Sequence, residues 1–402
     1  MNMESSFNPQ AYLDSLPSGA GKKVAVGLSG GVDSAVTLAI LKAQGYEVLA
    51  VHMVNWQETE KESGYCTAQR DQEDAVNVAE ALNCPYYIMN FSKEYQELVF
   101  KRFLEDYQNG LTPNPDIFCN KEIKFHHFYQ AVKRLGMDYV ATGHYARILQ
   151  RDGDFFLGEA RDENKDQTYF LGQISISVLK HVLFPLGDLT KPQVRMMAEY
   201  FKIPVAKKKD STGICFIGER PFREFLSQYI SAQKGPIKDE QGEIVGTHEG
   251  LCFYTLGQRK GLGLGGEGLP WFVASKDLDT ATLHVVRGED HPSLYRMTLT
   301  GSEVNQLVSN EILLSDLVIE ARVRYRQKKV KAFLEIDSST GEWKVRFDQP
   351  VKAMTPGQFV VLYRSGICLG SAYIRAVGPN LLEQGWEAGQ NLPPLKGPSI
   401  SC

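Results

Sequence analysis

Three short stretches of this 402-residue chain hold residues whose types and spacing suit chemistry. The first is Gly27-Leu28-Ser29-Gly30-Gly31-Val32-Asp33-Ser34. Its glycines allow a sharp turn that aims several backbone N–H groups at one point, and a helix opening behind them adds unpaired N–H groups and the positive end of its dipole. That makes a cradle for an anion, with Ser29 and Ser34 as further hydroxyl donors. Asp33 beside a phosphate makes sense chiefly with a shared Mg²⁺ ion, or as a helix cap. No Lys-Ser or Lys-Thr pair follows the glycines, so the loop is not a Walker A motif. The second stretch, TPNPDIFCNK, places Cys119 two residues before Lys121 and three after Asp116. A thiol near a helix start and a lysine gains thiolate character, and Asp116 is a candidate general acid or base. The residues alone leave a buried thiol and a capping Asp equally open. The third stretch, DSTGICFIG, carries Cys215 just after Lys207-Lys208-Lys209. Flanking glycines and positive charge favour an accessible thiolate, although spacing alone favours a structural thiol.

The elements that must position these groups follow from periodicity. From Lys22 onward, apolar runs (KKVAVGLS, EVLAVHMV, PYYIMNF, MDYVATGH) alternate with helix-length segments, among them SAVTLAILKAQG, Gln69 to Leu82, KEYQELVFKRFLEDYQNG and NKEIKFHHFYQAVKRLG. Strands separated by helices predict βαβ units and a parallel sheet covered on both faces, with ligands at the carboxyl ends of the strands. Those ends are Gly27 to Ser34, Met53 to Trp56 and Thr142 to Tyr145. Residues 213–295 turn glycine-rich, with one helical piece (RPFREFLSQYI) and short strands (WFVASKD, TLHVVRG). Residues 296–378 read as closely spaced antiparallel strands (LVIEARVRYR, KAFLEI, WKVRFD, QFVVLY) of a small sandwich or barrel. The expected organisation is an extension over 1–21, an α/β domain over 22–212 with a doubly wound, Rossmann-like parallel sheet, a small central domain over 213–295, a β-barrel-like domain over 296–378, and a tail over 379–402. Within the central domain, Gly261 to Gly266 matches GxGxxG in form, but no strand precedes it and no helix follows, so it is read as a plain loop.

Composition narrows the function classes. At 43% hydrophobic and 23% charged residues the chain is ordinarily globular, and its length predicts two or three domains. No apolar run reaches the roughly 18 to 20 residues that span a bilayer, and the N-terminal stretch lacks signal and transit features, which together predict a cytoplasmic protein without a membrane partner. Seven cysteines without a CxxC pair argue against a disulfide framework or a zinc site, and no metal-ligand cluster is visible. The net charge of −4 argues weakly against nucleic acid, but it is unevenly spread. Residues 296–378 hold 12 Lys+Arg against 8 Asp+Glu, so this segment is basic and the remainder acidic. In VRYRQKKVK, period-2 alternation puts Arg322, Arg324 and Arg326 on one strand face, suited to phosphates, and Val323 and Tyr325 on the other.

SGGVDS is the signature of the PP-loop, or N-type ATP pyrophosphatase, class. GLSGGVDS, HMVNW, TPNPDIFCNKEIKF, ATGHYAR, KDQTYFL, STGICFIGER, LGQRKGLGLGG, RVRYRQ and TPGQFVVLY occur in this order, and together the chain from about Lys22 to Ala376 resembles the tRNA-specific 2-thiouridylases. The resemblance implies ATP-dependent 2-thiolation of a wobble uridine in tRNA, by resemblance the tRNAs for Lys, Glu and Gln, with a cysteine desulfurase or a sulfur-relay protein as persulfide donor. It implies that Gly27 to Ser34, Met53 and Gly143 contact ATP, with Mg²⁺ inferred from ATP use. It implies further that Cys215 carries the persulfide, that Cys119 is the second catalytic cysteine, and that Asp116 is the acid or base. Asn114, Pro115 and Asp116 would face the target base, and His144, Lys165, Asp166, Gln167, Arg324, Tyr325 and Gln358 would contact tRNA. Two other readings remain at this point: a PP-loop synthetase that adenylates a small carboxylate, and a non-catalytic tRNA-binding or sulfur-carrier protein.

Overall fold

The computed structural model describes residues 7–56, 67–210, 222–314 and 318–387. Two compact units emerge. The first comprises Met1–Lys101, Pro115–Arg220 and Ser365–Leu369, and the second Arg102–Asn114, Pro221–Arg364 and Gly370–Cys402.

The first unit is built on strands β1 (Lys23–Gly27), β2 (Glu47–Val54), β3 (Tyr86–Asn90) and β4 (Tyr139–Ala141). A hairpin follows, β5 (Arg147–Arg151) and β6 (Asp154–Gly158), and then a short β7 (Val182–Leu183). Five strands form a parallel sheet in the order β3-β2-β1-β4-β7. Register runs from Lys23 opposite Glu47 to Gly27 opposite Val51, and Val24 also faces Tyr139. Val24, Ala25 and Val26 are fully buried, as expected of a central parallel strand covered on both faces. The helix Val32–Ala43 buries nearly its whole circumference, because it lies between this sheet and the helix Lys191–Tyr200. Val36, Leu38 and Ile40 from one, and Val194 and Met197 from the other, share one core. Asp152 and Gly153 both take positive φ (52° and 90°), the two-residue turn that matches strand twist and fixes the β5–β6 register.

Two helical stretches contain wide turns. Gln96–Phe100 and Cys119–Phe128 are π-helical, each continuous with α-helix on both sides. Such segments are uncommon and cluster at functional sites.

The second unit holds a four-stranded sheet of β8 (Gly235–Lys238), β9 (Ile244–His248), β10 (Trp271–Asp277) and β11 (Thr282–Arg287), ordered β10-β11-β8-β9. It also holds a barrel of β12 (Tyr295–Gln306), β13 (Val318–Arg322), β14 (Val330–Ile336), β15 (Trp343–Lys352), β16 (Phe359–Arg364) and β17 (Ile367–Val377). The order β12-β15-β14-β13-β16-β17 closes on itself through β12–β17 pairing, which leaves no free edge in the ring. Trp343, Phe347, Phe359 and Tyr363 are fully buried in this unit. The expected α/β fold with a parallel sheet, a small central domain and a C-terminal antiparallel barrel is therefore observed. Among the described residues no helix is long and apolar enough to cross a membrane.

One local expectation is corrected. The strand containing Arg322 ends there, and residues 323–326 form a turn in which Arg326 adopts φ 63°. The chain must reverse to pair β13 with β14, so strand alternation does not extend through Arg324, Tyr325 and Arg326. Arg322, Arg324 and Arg326 do not form one strand face.

Candidate active site

The chain runs from β1 outward through β2 to β3, then crosses to β4 on the other side of β1. That direction reverses between β1 and β4, the place where open α/β sheets bind ligands beyond the carboxyl ends of their strands, and the glycine turn leaves β1 there. Gly30 has φ 78°, and a Cβ there would lie 2.2 Å from the Asp71 carbonyl oxygen. Gly143, just past β4, is equally confined, since its Cβ would lie 2.7 Å from the Ser34 nitrogen. Gly31 forms the extended N-cap of the helix Val32–Ala43 and has no side chain to bond the first-turn amides. Backbone N–H groups at a helix start, walled by two glycines, fit a phosphate.

The two serines brace this turn. The Ser34 hydroxyl accepts from the Ser29 N–H at 3.1 Å, donates to the Gly31 carbonyl at 3.1 Å, and lies 3.1 Å from the Ser29 hydroxyl. His52 Nδ1 donates to the Leu28 carbonyl at 2.9 Å, and burial lowers its pKa so that the ring stays neutral. Met53 is buried at the end of β2, with its methyl carbon 3.1 Å from where a Gly27 Cβ would sit. Gly27, Met53 and Gly143 thus border the same turn.

Asp33 does not cap its helix. Its carboxylate accepts from Lys191 Nζ at 2.7 and 2.9 Å and from the Tyr145 hydroxyl at 2.9 Å. Burial first, and then Asp33, raise the Tyr145 phenol well above its ordinary pKa, so it stays a donor. Lys191 also pairs with Asp210 at 2.8 Å, and Lys165 and Arg195 reach the same Asp210 carboxylate at 2.8 Å each. Burial alone would push Asp210 up, but the hydrogen bonds from Lys165 and Lys191 outweigh it and hold the carboxyl at about 2. Lys208 Nζ donates to the Gly30 carbonyl at 3.0 Å and pairs with Asp71 and Asp74 at 2.7 and 2.6 Å, fastening the turn to the helix Thr67–Ala81. Among the described residues no group of three His, Cys, Asp or Glu side chains is arranged to hold a metal ion.

The helix carrying the first cysteine opens at Pro115, a residue whose missing N–H costs nothing at a helix start. Asp116 is half-buried in this first turn, and Cys119, fully buried, begins the π-helical segment one turn further in. The next residue, Asn120, donates to the Phe170 carbonyl at 3.0 Å and holds the segment in place. Cys215 lies outside the described residues, as do Cys66 and Cys402.

The residues carried over as tRNA contacts fall in two places. In the first unit, His144 is buried between Phe125 and Phe184, bonded through Nδ1 to the Thr142 hydroxyl at 2.7 Å, and burial keeps it neutral. Asp166 is 2% exposed and accepts from the Ala160 N–H and the Thr168 hydroxyl, while Gln167 accepts from the Tyr145 N–H at 2.9 Å. In the second unit, Gln358 Nε2 donates to the Thr112 carbonyl at 2.8 Å and the Pro113 carbonyl at 3.2 Å, and its Oε1 accepts from Asn114 Nδ2 at 3.3 Å. Arg324 bonds the Leu256 carbonyl and the Thr355 hydroxyl, and the Thr355 carbonyl accepts from the Gln358 N–H. Arg324, Gln358 and Asn114 therefore belong to one cluster, while Tyr325 lies on the adjoining turn under the Arg326 guanidinium, 5.3 Å from its ring centre.

Lys191, His52, Asp71 and Asp74 escaped the sequence reading, while Tyr145 and Asp210 lie in stretches it singled out but were given no role. Lys191 is 158 residues from Asp33, and no periodicity links them. The Lys207-Lys208-Lys209 run was visible, but its engagement of the glycine turn was not.

A parallel sheet with a glycine cradle at its switch point, followed by a closed antiparallel barrel, defines a nucleotide-binding α/β protein with β-rich appendages. Family models agree with that class: residues 22–219 match a "tRNA methyl transferase HUP domain", 223–287 a "tRNA methyl transferase PRC-barrel domain" and 296–374 an "Aminomethyltransferase beta-barrel domain". The chain belongs to the tRNA-specific 2-thiouridylase family of enzymes. It is 51% identical over 353 residues, 88% of this chain and 95% of the relative, to the tRNA-specific 2-thiouridylase MnmA of Staphylococcus saprophyticus, and 51% identical over 354 residues, 88% of this chain and 94% of the relative, to that of Halalkalibacterium halodurans. Among solved structures, an NMN synthetase from Francisella tularensis is similar at 19% identity and a TM-score of 0.32, over 51% of this chain and 76% of that one, too weak to bear on function.

Proposed function

We propose that this protein thiolates C2 of the wobble uridine in tRNA, spending ATP to activate the C2 oxygen. The observation that carries the reading is the 51% identity, across 88% of the chain, to enzymes of that name, with the glycine cradle intact at the switch point. A pyrimidine C2 carbonyl is a poor electrophile, and oxide is a poor leaving group. Attack of that oxygen on the α-phosphorus of ATP forms an O–P bond and expels pyrophosphate, leaving AMP as a good leaving group. Backbone amides of Gly30 to Asp33 would receive the phosphates, with Met53 and Gly143 lining the site. Mg²⁺ would arrive on the nucleotide, where it shields phosphate charge.

Sulfur then enters from a persulfide on Cys215, loaded by a cysteine desulfurase or a sulfur-relay protein. In one route the terminal sulfur attacks C2 and displaces AMP, and the Cys119 thiolate attacks the Cys215 sulfur to free the thiouridine. In the other, Cys119 releases hydrosulfide, which attacks C2 itself. Both routes end in a Cys119–Cys215 disulfide, so each turnover needs an external dithiol to return two electrons. Asp116, three residues before Cys119, would move the proton, and Asn114 with Pro115 would face the target base. Lys165, His144, Asp166, Gln167, Arg324, Tyr325 and Gln358 would contact or position tRNA in the cytoplasm. His144, Asp166 and Gln167 are engaged by the protein itself, and this favours a positioning role for them. Methyl transfer, the activity in two of the family-model descriptions, needs neither ATP cleavage nor two cysteines, and a carboxylate synthetase would have no use for Cys119 and Cys215.

The test is to incubate purified protein with unmodified tRNA, ATP, Mg²⁺ and a persulfide-generating desulfurase, and to measure 2-thiouridine in nuclease digests. Thiolation that disappears in Cys215→Ser, with ATP-dependent pyrophosphate release retained, is expected. Absence of thiolation by protein that binds both ATP and tRNA would refute the reading.

A further inference from the structure

We propose that Lys191 is the cation that receives the pyrophosphate end of ATP, exchanging its present carboxylate partners for phosphate oxygens. The inference rests on the ATP use proposed above and adds a residue to it. ATP carries about four negative charges, whereas a helix start supplies roughly half a positive charge. The turn from Gly27 to Ser34 contains no Lys or Arg, so the charge that the accompanying Mg²⁺ leaves uncompensated has to be met by a side chain from elsewhere. Among the described residues, two lysines reach it. Lys208 lies on the Gly30 carbonyl and faces two carboxylates alone, Asp71 and Asp74, so its charge is already over-compensated.

Lys191 stands differently. Its ammonium touches the carboxylate of Asp33, the second residue of the helix whose N-terminus forms the cradle. Its side chain is 14% exposed, and its backbone is fixed, because the Lys191 N–H donates to Asp162 at 2.9 Å and Gln193 accepts from the Thr190 N–H at 2.9 Å. Three cations, Lys191, Lys165 and Arg195, share two carboxylates, Asp33 and Asp210. If Lys191 turned to a phosphate, Asp210 would keep Lys165 and Arg195, and Asp33 would keep the Tyr145 hydroxyl and the helix dipole. The exchange strands no carboxylate.

Titration calorimetry on the full-length protein with inorganic pyrophosphate, ATP and AMP as separate probes tests this. Lys191→Met is expected to weaken pyrophosphate and ATP binding by about tenfold to a hundredfold, the range for losing one charge-assisted hydrogen bond, while AMP changes less than about twofold and Lys191→Arg recovers most of the loss. Unchanged pyrophosphate binding, or an equal loss for AMP, would overturn the proposal. Should Lys191→Met fail to fold, Asp210→Asn decides: freeing Lys191 from one carboxylate should tighten pyrophosphate binding severalfold, and unchanged or weaker binding refutes the role. Wild-type protein that thiolates tRNA while Lys191→Met binds pyrophosphate normally refutes this inference alone, whereas wild-type protein that binds neither ATP nor pyrophosphate refutes the ATP reading itself.

Discussion

In the first unit the proposed phosphate cradle is made by eight consecutive residues, Gly27 to Ser34, whose backbone would present the donors and in which Gly30 is fixed by its positive φ and the neighbouring Asp71 carbonyl. In the second unit the comparable cluster gathers Asn114, Arg324, Thr355 and Gln358 from three distant segments, and side chains do the work. A site made of backbone survives as a motif because each residue is demanded by local geometry. One made of side chains is held by tertiary contacts, and its parts carry no mutual signature in the sequence. The first should therefore fail abruptly when a single atom is added, and the second should weaken in steps.

The largest effect is expected for Gly30→Ala. A left-handed backbone costs an alanine about 1–2 kcal/mol, and its Cβ would strike the Asp71 carbonyl at 2.2 Å, so the turn must open. Calorimetry should find ATP affinity lowered by at least about a hundredfold, with tRNA affinity little changed. Near-normal ATP binding would show that the cradle is not made as described.

Gln358→Ala should act on the other unit alone. It removes three neutral hydrogen bonds that hold the Thr112 to Asn114 segment, each worth roughly 0.5–1.5 kcal/mol. Thiolation efficiency per tRNA should fall about tenfold while ATP affinity stays at the wild-type value. A matching loss of ATP affinity would erase the distinction between the two regions.

The smallest effect concerns Lys276, which donates to the Gly110 carbonyl at 3.0 Å near the same segment. Burial lowers its pKa to about 8, partly offset by Cys252. Between about pH 8 and 10 the folded protein holds less proton here than the unfolded chain, so this residue makes stability rise with pH across that window, and its penalty is full below it. Urea unfolding at pH 7 and pH 9.5 should show a pH gain in wild type that is smaller in Lys276→Met.

The frame of the molecule was legible because apolar runs spaced by helices admit few arrangements, and the strands Glu47–Val54 and Trp271–Asp277 coincide with the sequence runs. The hairpin Arg147–Gly158 went unread even though Asp152-Gly153 is a strong turn signal, since its strands are short and only partly apolar. Arg324 and Tyr325 were read as strand because VRYR alternates, but closing the β13–β14 connection overrides the pattern with a turn. The position of Cys119 was legible and its depth was not. The helix opens at Pro115, so the thiol falls one turn inside, fully buried, where a π-helical segment begins. Lys191 illustrates the general limit: its contact with Asp33 depends on one helix packing on another that is 158 residues away in the chain, which no local spacing encodes.

The activation step can be followed atom by atom. If tRNA carrying ¹⁸O at C2 of the target uridine is thiolated with unlabelled ATP, adenylation of O2 requires that oxygen to leave bonded to phosphorus. AMP should then contain one ¹⁸O for each 2-thiouridine formed, seen as a two-dalton shift, and pyrophosphate should contain none. Thiouridine formed alongside unlabelled AMP would contradict adenylation of the C2 oxygen.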